Sequence, residues 1–437
     1  MSSPRAVLLV GTGYARVGTP GANRMRAYVD YLPPLGWVPH VLTVWPAADI
    51  SAEHEPLVHP VRDIGISRAK HIARRSRDSG TVSLRLVARL AGRLARLLVP
   101  PDPDGLWIVR AVGHGAELAR RYSVSAVVSS SPNPSGLIVG HLVAHAARVP
   151  HIVEFRDLWT LGPTYGTRMP LRGSMERALE RRVVASASHL VAVTPQMADI
   201  LRRCYATRAP RVSLITNGYD ERLLASLSDE APASGAPLTL AHAGSFYGNE
   251  RLPLALLDAL QAFHDLTPDS QESVRFECFG GPEDQFSREV QRRGLTSIVR
   301  MQGRLPPHEL MKRLASVDVL VVTTRSVPGA EGEIPSKFFE YIGCRRDIVL
   351  FARAHFDVAK LSLGLPRVTQ LDPYDSAGAY AWLCRKVADQ RNNKLDRSPY
   401  RLATPHPLEP DYTRQAGAIR LANILNASMS LRRHANG

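Results

Sequence analysis

Short apolar segments alternate with helical patterns along almost the whole chain, and this alternation constrains the fold most strongly. The apolar runs lie at 6–10, 38–44, 125–129, 151–155, 190–193 and 212–215, then at 238–243, 274–279, 298–302, 317–322 and 347–351. Segments with helical spacing separate them. Strands that alternate with helices form right-handed βαβ units around a mainly parallel sheet. The pattern therefore predicts an α/β protein.

The chain has 437 residues, which is long for a single core and favours two domains. The alternation is interrupted at 216–220, and a segment rich in Ser, Ala, Pro and Gly follows at 226–237. Such composition is typical of a hinge. A Pro-rich linker precedes a last predicted helix at 412–425. We predict an N-terminal domain at 1–217, a C-terminal domain at 218–405, and a linker with a closing helix at 406–437.

Composition narrows the function classes without selecting one. Apolar residues make up 44% of the chain and charged residues 22%, which describes a globular protein. No run approaches the roughly 18 apolar residues of a membrane span, and the apolar run after the N-terminus is too short for a secretory signal. The four cysteines are scattered without a CxxC pair, so we expect free thiols in the cytoplasm.

The formal net charge of +15 indicates an anionic partner or substrate. Part of the excess reflects a bias toward Arg over Lys, which is typical of a GC-rich genome. A basic amphipathic helix is predicted to begin at Arg85 and to end at Leu98, with arginines at helical spacing opposite leucines. It either packs on its own domain or docks on an anionic membrane surface, and the second reading would make the protein peripheral at the membrane.

The segment from Gly332 to Tyr341 is the most informative motif. It follows the apolar run at 317–322, where an α/β domain holds its ligand. A helix is predicted to begin near Ser336, and its free N–H groups and dipole suit a phosphate. Glu340, one turn into that helix, can accept hydrogen bonds from the hydroxyls of a ribose. These features predict a nucleotide-sugar site.

Two glycine-rich turns add to this prediction. The turn at 243–251 follows the first strand of the second domain and presents backbone amides and Arg251 to a diphosphate. The loop at 11–21 follows the first strand of the chain. It lacks the third glycine of a dinucleotide fingerprint, because position 16 is Arg16, and it has no P-loop lysine. This loop is either a structural turn or a contact for donor phosphate or acceptor.

The segment from Glu154 to Trp159 ends a strand of the first domain. Arg156 and Asp157 are either a salt-linked pair that stabilises a loop or side chains that face an acceptor. HExxH, GxSxG and zinc-spaced Cys/His motifs are absent from the sequence, so we predict no metal site. Aromatic residues do not interleave with the basic stretches, so we predict no nucleic-acid partner.

In their order along the chain, these motifs resemble those of retaining glycosyltransferases of the GT-B fold, in the family 4 (group 1) class. The resemblance implies two Rossmann-like, doubly wound domains that face each other across a cleft, with a C-terminal helix that crosses back to the first domain. It also implies a nucleotide-diphosphate sugar as donor, held mainly by the C-terminal domain, and a hydroxyl acceptor held mainly by the N-terminal one. The resemblance further implies that such an enzyme requires neither a cofactor nor a metal.

Site residues follow from the motifs and the resemblance together. The catalytic candidates are Arg156, Asp157, Arg251, Glu333 and Lys337. The donor-binding candidates are Gly21, Gly244, Ser245, Arg251, Arg325, Glu331, Glu333, Ile334, Pro335, Ser336, Lys337 and Glu340. The acceptor-binding candidates are Asn23, Arg24, Asp157 and Trp159.

The family's pair of glutamates is displaced in this chain. The first glutamate would fall at Gly332, but Glu331 and Glu333 flank that position instead. Either one is a candidate for contact with the donor sugar. The alternatives to a transferase are a sugar-nucleotide epimerase of the same fold, a GT-B subunit without activity, and a basic protein that binds nucleic acid or another anion.

Overall fold

The computed structural model describes residues 3–14, 20–45, 50–63, 101–162, 170–205, 211–225, 236–246, 250–281, 283–395, 397–398 and 409–435. The predicted basic helix at 85–98 lies outside these residues. The chain forms two compact units: Met1–Thr216 with Gln415–Gly437, and Asn217–Arg414. We call them unit 1 and unit 2. The predicted divisions fall after residues 217 and 405, whereas the units divide after Thr216 and Arg414.

Unit 1 is built on a seven-stranded parallel sheet. Its strands are β1 (Arg5–Val10), β2 (Trp37–Val44), β3 (Val58–Val61), β4 (Ala126–Ser130), β5 (His151–Phe155), β6 (His189–Ala192) and β7 (Arg211–Leu214), in the order β3-β2-β1-β4-β5-β6-β7. The helices that precede unit 2 are α1 (Pro20–Tyr31), α2 (Ile108–Arg121), α3 (Pro134–Ala147), α4 (Pro170–Ser186) and α5 (Pro195–Cys204).

Both faces of this sheet are covered, which explains why its strands read as continuous apolar runs. In β1, Val7 and Leu9 enter one core cluster, and Leu8 and Val10 enter another on the opposite face. The side chains of a strand alternate between faces with a period of two. A central strand of a covered sheet therefore favours apolar residues on both of its faces.

Unit 2 repeats the plan with six parallel strands. They are β8 (Leu238–Ala243), β9 (Val274–Phe279), β10 (Val299–Gly303), β11 (Val319–Thr323), β12 (Asp347–Phe351) and β13 (Val368–Leu371), in the order β10-β9-β8-β11-β12-β13. Its helices are α6 (Glu221–Ala225), α7 (Leu254–Leu266), α8 (Ser270–Ser273), α9 (Asp284–Arg292), α10 (Pro307–Ala315), α11 (Ser336–Gly343), α12 (Asp357–Ser362) and α13 (Ser376–Arg391).

The last helix, α14 (Arg414–Ala435), returns to unit 1. Leu421 and Leu425 are fully buried in the core cluster that also contains Val7 and Leu9 of β1. The predicted return of the C-terminal helix to the first domain is therefore confirmed. The helix ends ten residues beyond the predicted residue 425, at Ala435.

Two of the four edge strands, β3 and β13, were not predicted. β3 reads Val-His-Pro-Val and β13 reads Val-Thr-Gln-Leu, and each pairs with one neighbour. An edge strand is short and tolerates polar residues and proline, because one side of it makes no ladder hydrogen bonds. Such a strand lacks the apolar run on which the prediction depended. The short helices α6 and α12 were missed as well.

Candidate functional site

In each sheet the strand order reverses direction once, between β1 and β4 in unit 1 and between β8 and β11 in unit 2. Doubly wound sheets bind ligands at the carboxyl ends of the strands at this switch point. In unit 2, Gly244 and Ser245 follow β8, and Thr324 and Arg325 follow β11. The predicted donor residues therefore lie at the place where the topology opens a crevice.

Lys337, in the first turn of α11, meets the end of β8. Its Nζ lies 3.0 Å from Nε2 of His242, which is fully buried. The Nδ1–H of His242 donates to the Val321 carbonyl at 2.9 Å, so Nε2 is free to accept from the lysine. The His242 ring also stacks on Phe246, with centroids 4.2 Å apart. The histidine thus fixes the position of the lysine ammonium.

The charge state of this pair is set by burial. Burial, followed by the charge of the nearby Arg251, lowers the pKa of Lys337 to about 7, against the opposite effects of Glu340 and Glu283. Burial and the Lys337 charge hold the pKa of His242 well below its usual value. A lysine that is half protonated near neutral pH gains its charge when an anion binds beside it.

Gly244 brings the backbone close to this lysine. Its φ of +103° lies in the region that favours glycine. A Cβ there would lie 3.1 Å from Nζ of Lys337. Gly244 and Ser245 are both exposed. Their backbone is therefore accessible beside the lysine, and the role of this turn in donor binding stays a prediction.

Three charged side chains form a second group, which we call the arginine–Glu333 cluster. Arg251 Nη2 and Arg325 Nε each lie 3.0 Å from Oε2 of Glu333. The Arg325 guanidinium also contacts the other oxygen of Glu333 and reaches Glu250 at 3.3 Å. Residues from three separate loops, at 250–251, 325 and 333, are brought together here.

The two candidate glutamates have different surroundings. Glu331 Oε1 accepts a hydrogen bond from the Gly329 amide at 3.1 Å, within its own loop, whereas Glu333 contacts the two arginines. Ile334 and Pro335 are buried, and Ser336 begins α11. Ile334 enters the core with Phe338 and Phe339 of the same helix. This packing anchors the start of α11 and leaves its first turn at the crevice.

Glu340 lies one turn further along α11, where Oε1 is 3.5 Å from Nη2 of Arg414. Burial raises the pKa of Glu340, and the charges of Arg414 and Lys337 oppose this. Arg414 also binds Asp220 at 3.1 Å and the Gly218 carbonyl at 3.3 Å. The segment at 217–220 thereby supports the predicted ribose ligand through Arg414.

In unit 1, the carboxyl ends of β4 and β5 are joined through Ser131. Its Oγ accepts hydrogen bonds from the amides of Arg156 at 2.8 Å and Asp157 at 3.0 Å, and Arg156 Nε donates to the Ser131 carbonyl at 2.8 Å. A Cβ on Gly21 would clash with the Arg156 guanidinium. Gly21, Arg156 and Asp157 therefore come together, and the side chain of Asp157 is exposed.

Two predicted acceptor ligands are buried inside unit 1. Arg24 donates to Glu154 at 2.8 Å and to the carbonyls of Thr216 and Ile215 at 2.7 and 2.9 Å. Trp159 belongs to the core and donates to Glu176 at 3.2 Å. Both side chains make internal contacts, which gives each a structural role. Their acceptor roles, and that of the half-buried Asn23, stay predictions.

The carboxylate of Glu154 organises the interior behind this edge. Burial alone would raise its pKa, but the Arg24 charge and the hydroxyls of Tyr28 and Ser130 lower the pKa below its usual value. Both hydroxyls donate to it at 2.7 Å. The ionised Glu154 therefore ties α1, β4 and β5 together beneath Arg156.

The described residues contain no group of three or more His, Cys, Asp and Glu side chains placed to hold a metal ion. Across the same part of the chain, no helix is long and apolar enough to cross a membrane.

Comparison with known proteins agrees with this architecture. Residues 21–218 match the family described as glycosyl transferase 4-like domain. The α-maltose-1-phosphate synthase of Mycolicibacterium smegmatis is 26% identical over 202 residues, which are 42% of this chain and 50% of that protein. The chain thus spans about half the length of this curated relative.

Two solved structures share the fold along nearly the whole chain. A glycosyltransferase from Rickettsia africae has a TM-score of 0.66 at 11% identity, over 98% of this chain and 99% of its own. A sucrose-phosphate synthase from Thermosynechococcus elongatus has a TM-score of 0.61 at 14% identity, over 98% and 100%. At such identities the likeness shows the fold alone.

The fold is therefore that of the GT-B class, with two Rossmann-like units of seven and six parallel strands. The resemblance to GT-B glycosyltransferases of the family 4 (group 1) type, predicted from the motifs, is confirmed over residues 21–218 by the family match, and the two solved structures confirm the GT-B fold.

Proposed function

We propose that this protein transfers a sugar from a nucleotide-diphosphate sugar to an acceptor hydroxyl, with retention of configuration at the anomeric carbon. The observation that carries the proposal is the position of Lys337. Its ammonium lies at the switch point of unit 2, beside the exposed backbone of Gly244 and Ser245 and at the start of α11. A diphosphate placed there meets a cation, backbone amides and a helix N-terminus.

The chemistry requires charge stabilisation above all. When the bond between the anomeric carbon and the diphosphate oxygen breaks, its electron pair stays on the diphosphate and the sugar becomes oxocarbenium-like. Preorganised cations lower the energy of such a state because they need not reorganise as the charge develops. We propose that Lys337 and the arginine–Glu333 cluster serve this purpose, and that no metal ion is required.

Donor and acceptor roles are divided between the units in this proposal. Glu340 binds the ribose hydroxyls, Glu333 or Glu331 contacts the donor sugar, and Asp157 and Arg156 face the acceptor. Support for Glu333 over Glu331 comes from its contact with Arg251 and Arg325, since these arginines are the ones proposed to bind the diphosphate.

A thermal-shift screen of nucleoside diphosphates and their sugars tests the donor class directly. A ligand at 100 times its dissociation constant adds about 2.7 kcal/mol to the stability of the folded state. The expected result is stabilisation by one nucleotide series, reduced in Lys337→Ala. Stabilisation by none of the nucleotides, or equal stabilisation of Lys337→Ala, would contradict the proposed site.

Once the donor is known, NMR of the reaction distinguishes the remaining alternatives. Transfer with retention gives a new glycoside whose anomeric proton has the coupling of the donor. An epimerase instead changes the donor sugar without an acceptor. Detection of an epimerised nucleotide sugar with no glycoside formed would replace the transferase proposal with that second class.

We further propose reversible association with anionic membranes through Arg85, Arg89 and Arg93 of the predicted 85–98 helix. Each basic residue near an anionic surface contributes about 1 kcal/mol, screened by salt. Flotation with phosphatidylglycerol vesicles should be lost when the three arginines are replaced by Glu, while nucleotide binding persists. Equal flotation of both proteins would exclude this helix as the contact. A site of action in the cytoplasm stays a prediction.

A further inference from the structure

A cavity of about 670 Å³ lies in unit 1, between the end of α3, the start of β5 and α4. We call it the α3–β5 cavity. His141, His145 and Arg148 line it from α3 and its C-terminus, His151 lines it from β5, and Ser186 lines it from α4. None of its ten lining residues is an aspartate or glutamate. Its volume is that of a small-molecule site.

His151, which lines the cavity from β5, contains an unpaired polar atom. The residue is 2% exposed, its Nε2 lies 2.8 Å from Oγ of Ser129, and its buried Nδ1 has no hydrogen-bond partner among the described residues. The fully buried Ser129 hydroxyl has His151 as its hydrogen-bond partner, and the direction of this bond depends on the ring tautomer. In either tautomer the buried Nδ1, as an N–H donor or as a lone-pair acceptor, is left without a partner, which is costly for a buried group.

Gly140 makes this arrangement possible. A Cβ at that position would lie 2.5 Å from Cβ of Ser129 and 2.9 Å from Nε2 of His151. The glycine therefore lets α3 approach β4 and β5 closely at the back of the cavity. Any other residue would displace the Ser129–His151 pair.

His141 is held in place by a hydrogen bond to Ser186. Ser186 Oγ donates to the Val183 carbonyl at 3.0 Å and lies 2.7 Å from Nδ1 of His141. Because a hydroxyl has one proton, the serine must accept from the histidine. Burial, Arg182 and His145 together lower the pKa of His141, and an anion in the cavity would reverse that effect.

We propose that the α3–β5 cavity binds a phosphomonoester, as a small metabolite or as a lipid headgroup. The lining offers N–H and O–H donors from α3, the segment after it and α14, with Arg148 as a permanent cation and no carboxylate to repel the ligand. Donors that converge from several directions match the tetrahedral arrangement of three phosphate oxygens better than the two oxygens of a carboxylate.

This ligand would not be a reactant at the candidate site. His151 is the first residue of β5, whereas Arg156 follows the last residue of the same strand. At about 3.3 Å per residue, the two positions are about 16 Å apart along the strand. The proposed phosphate site therefore lies at the opposite edge of the sheet from Arg156 and Asp157, where its occupant acts as an effector or an anchor.

Isothermal titration calorimetry on the full chain tests the proposal. The probes are inorganic phosphate, glucose 6-phosphate and dihexanoyl phosphatidic acid, with glucuronate as a carboxylate control. The test variant is His145→Gln/Arg148→Gln, which changes two exposed lining residues. The matched control is His114→Gln/Arg120→Gln, an exposed pair on α2 outside the cavity. Lys337→Ala separates this site from the proposed donor site.

At least one phosphomonoester should bind to the wild-type and control proteins and to Lys337→Ala. In the test variant its affinity should fall about tenfold or more, because charge-assisted contacts are removed. Binding of glucose 6-phosphate but not of the phosphatidic acid would identify a metabolite, and the reverse would identify a headgroup. Equal binding to test and control variants, equal binding of glucuronate, or no binding by any phosphate would overturn the proposal.

Discussion

Lys337 should make the binding of a nucleotide sugar depend on pH. In the free protein its pKa is lowered to about 7 from the ordinary 10.5, first by burial and then by Arg251. The diphosphate of a nucleotide sugar has two negative charges and no proton that titrates between about pH 6 and 8. Its arrival beside Nζ restores the charged lysine, so the protonated protein is the form that binds.

The size of the effect follows from these pKa values. We take the pKa of Lys337 in the complex to be near its ordinary 10.5. The apparent dissociation constant is then proportional to 1 + 10^(pH − 7). This factor is about 1.1 at pH 6, about 2 at pH 7 and about 11 at pH 8, so affinity should fall about tenfold across this range. Binding should take up about 0.5 proton at pH 7 and about 0.9 at pH 8.

Calorimetry in buffers of different ionisation enthalpy measures both quantities. Lys337→Arg retains a permanent charge and should show affinity almost independent of pH. Lys337→Met should bind weakly at every pH. The pKa of His242 is held well below its usual value, so this ring should not contribute. A wild-type affinity that does not change with pH, or a slope that persists in Lys337→Met, would refute the reasoning.

Further predictions concern stability and donor binding. Because the folded-state pKa of Lys337 lies below its unfolded value, the unfolded chain binds more protons between about pH 7 and 10.4, so the melting temperature of wild type relative to Lys337→Met should rise over that window. Glu340→Ala should weaken nucleotide-sugar binding by roughly 1–3 kcal/mol by calorimetry, and an unchanged affinity would contradict the ribose assignment. Gly218→Ala should destabilise unit 2 by roughly 1–3 kcal/mol in urea, because its Cβ would lie 2.7 Å from the Tyr412 carbonyl. Gly113→Ala in α2 of unit 1 has open space around its Cβ and should leave the stability of the protein unchanged. Transfer should survive EDTA, and loss of turnover that is restored by magnesium or manganese would contradict metal independence.

The sequence was sufficient where a single local pattern decides the structure. Central strands such as β1 and β11 are apolar at most positions because both sheet faces are covered, so the runs 6–10 and 317–322 predicted them to within two residues. The start of α11 was equally predictable, because Pro335 precedes a polar Ser336 and a run of large apolar residues. The edge strands β3 and β13 lack such a pattern, and pairing with a neighbour defines them instead.

The contacts that tune the site could not be predicted, because they join residues far apart in the chain. Lys337 meets His242 across 95 positions, and Arg251 meets Glu333 across 82. The available signal for His242 was a polar residue in an apolar strand, directly before the Ala243-Gly244 turn. That signal indicates a polar partner without identifying it. The lowered pKa of Lys337 depends on this burial and this partner, and therefore only on the folded structure.

Glu333 shows how the sequence and the folded structure together distinguish two candidate residues. The displaced glutamate pair left Glu331 and Glu333 equivalent in the sequence, but the fold gives them different neighbours. Two guanidinium groups close together repel each other unless an anion lies between them. In the free protein Glu333 supplies that charge and holds Arg251 and Arg325 at one place. A bound diphosphate would bring its own charge to the same arginines. Under the proposed function the carboxylate then becomes available for the hydroxyls of the donor sugar, so that one residue preorganises the cations and afterwards contacts the substrate.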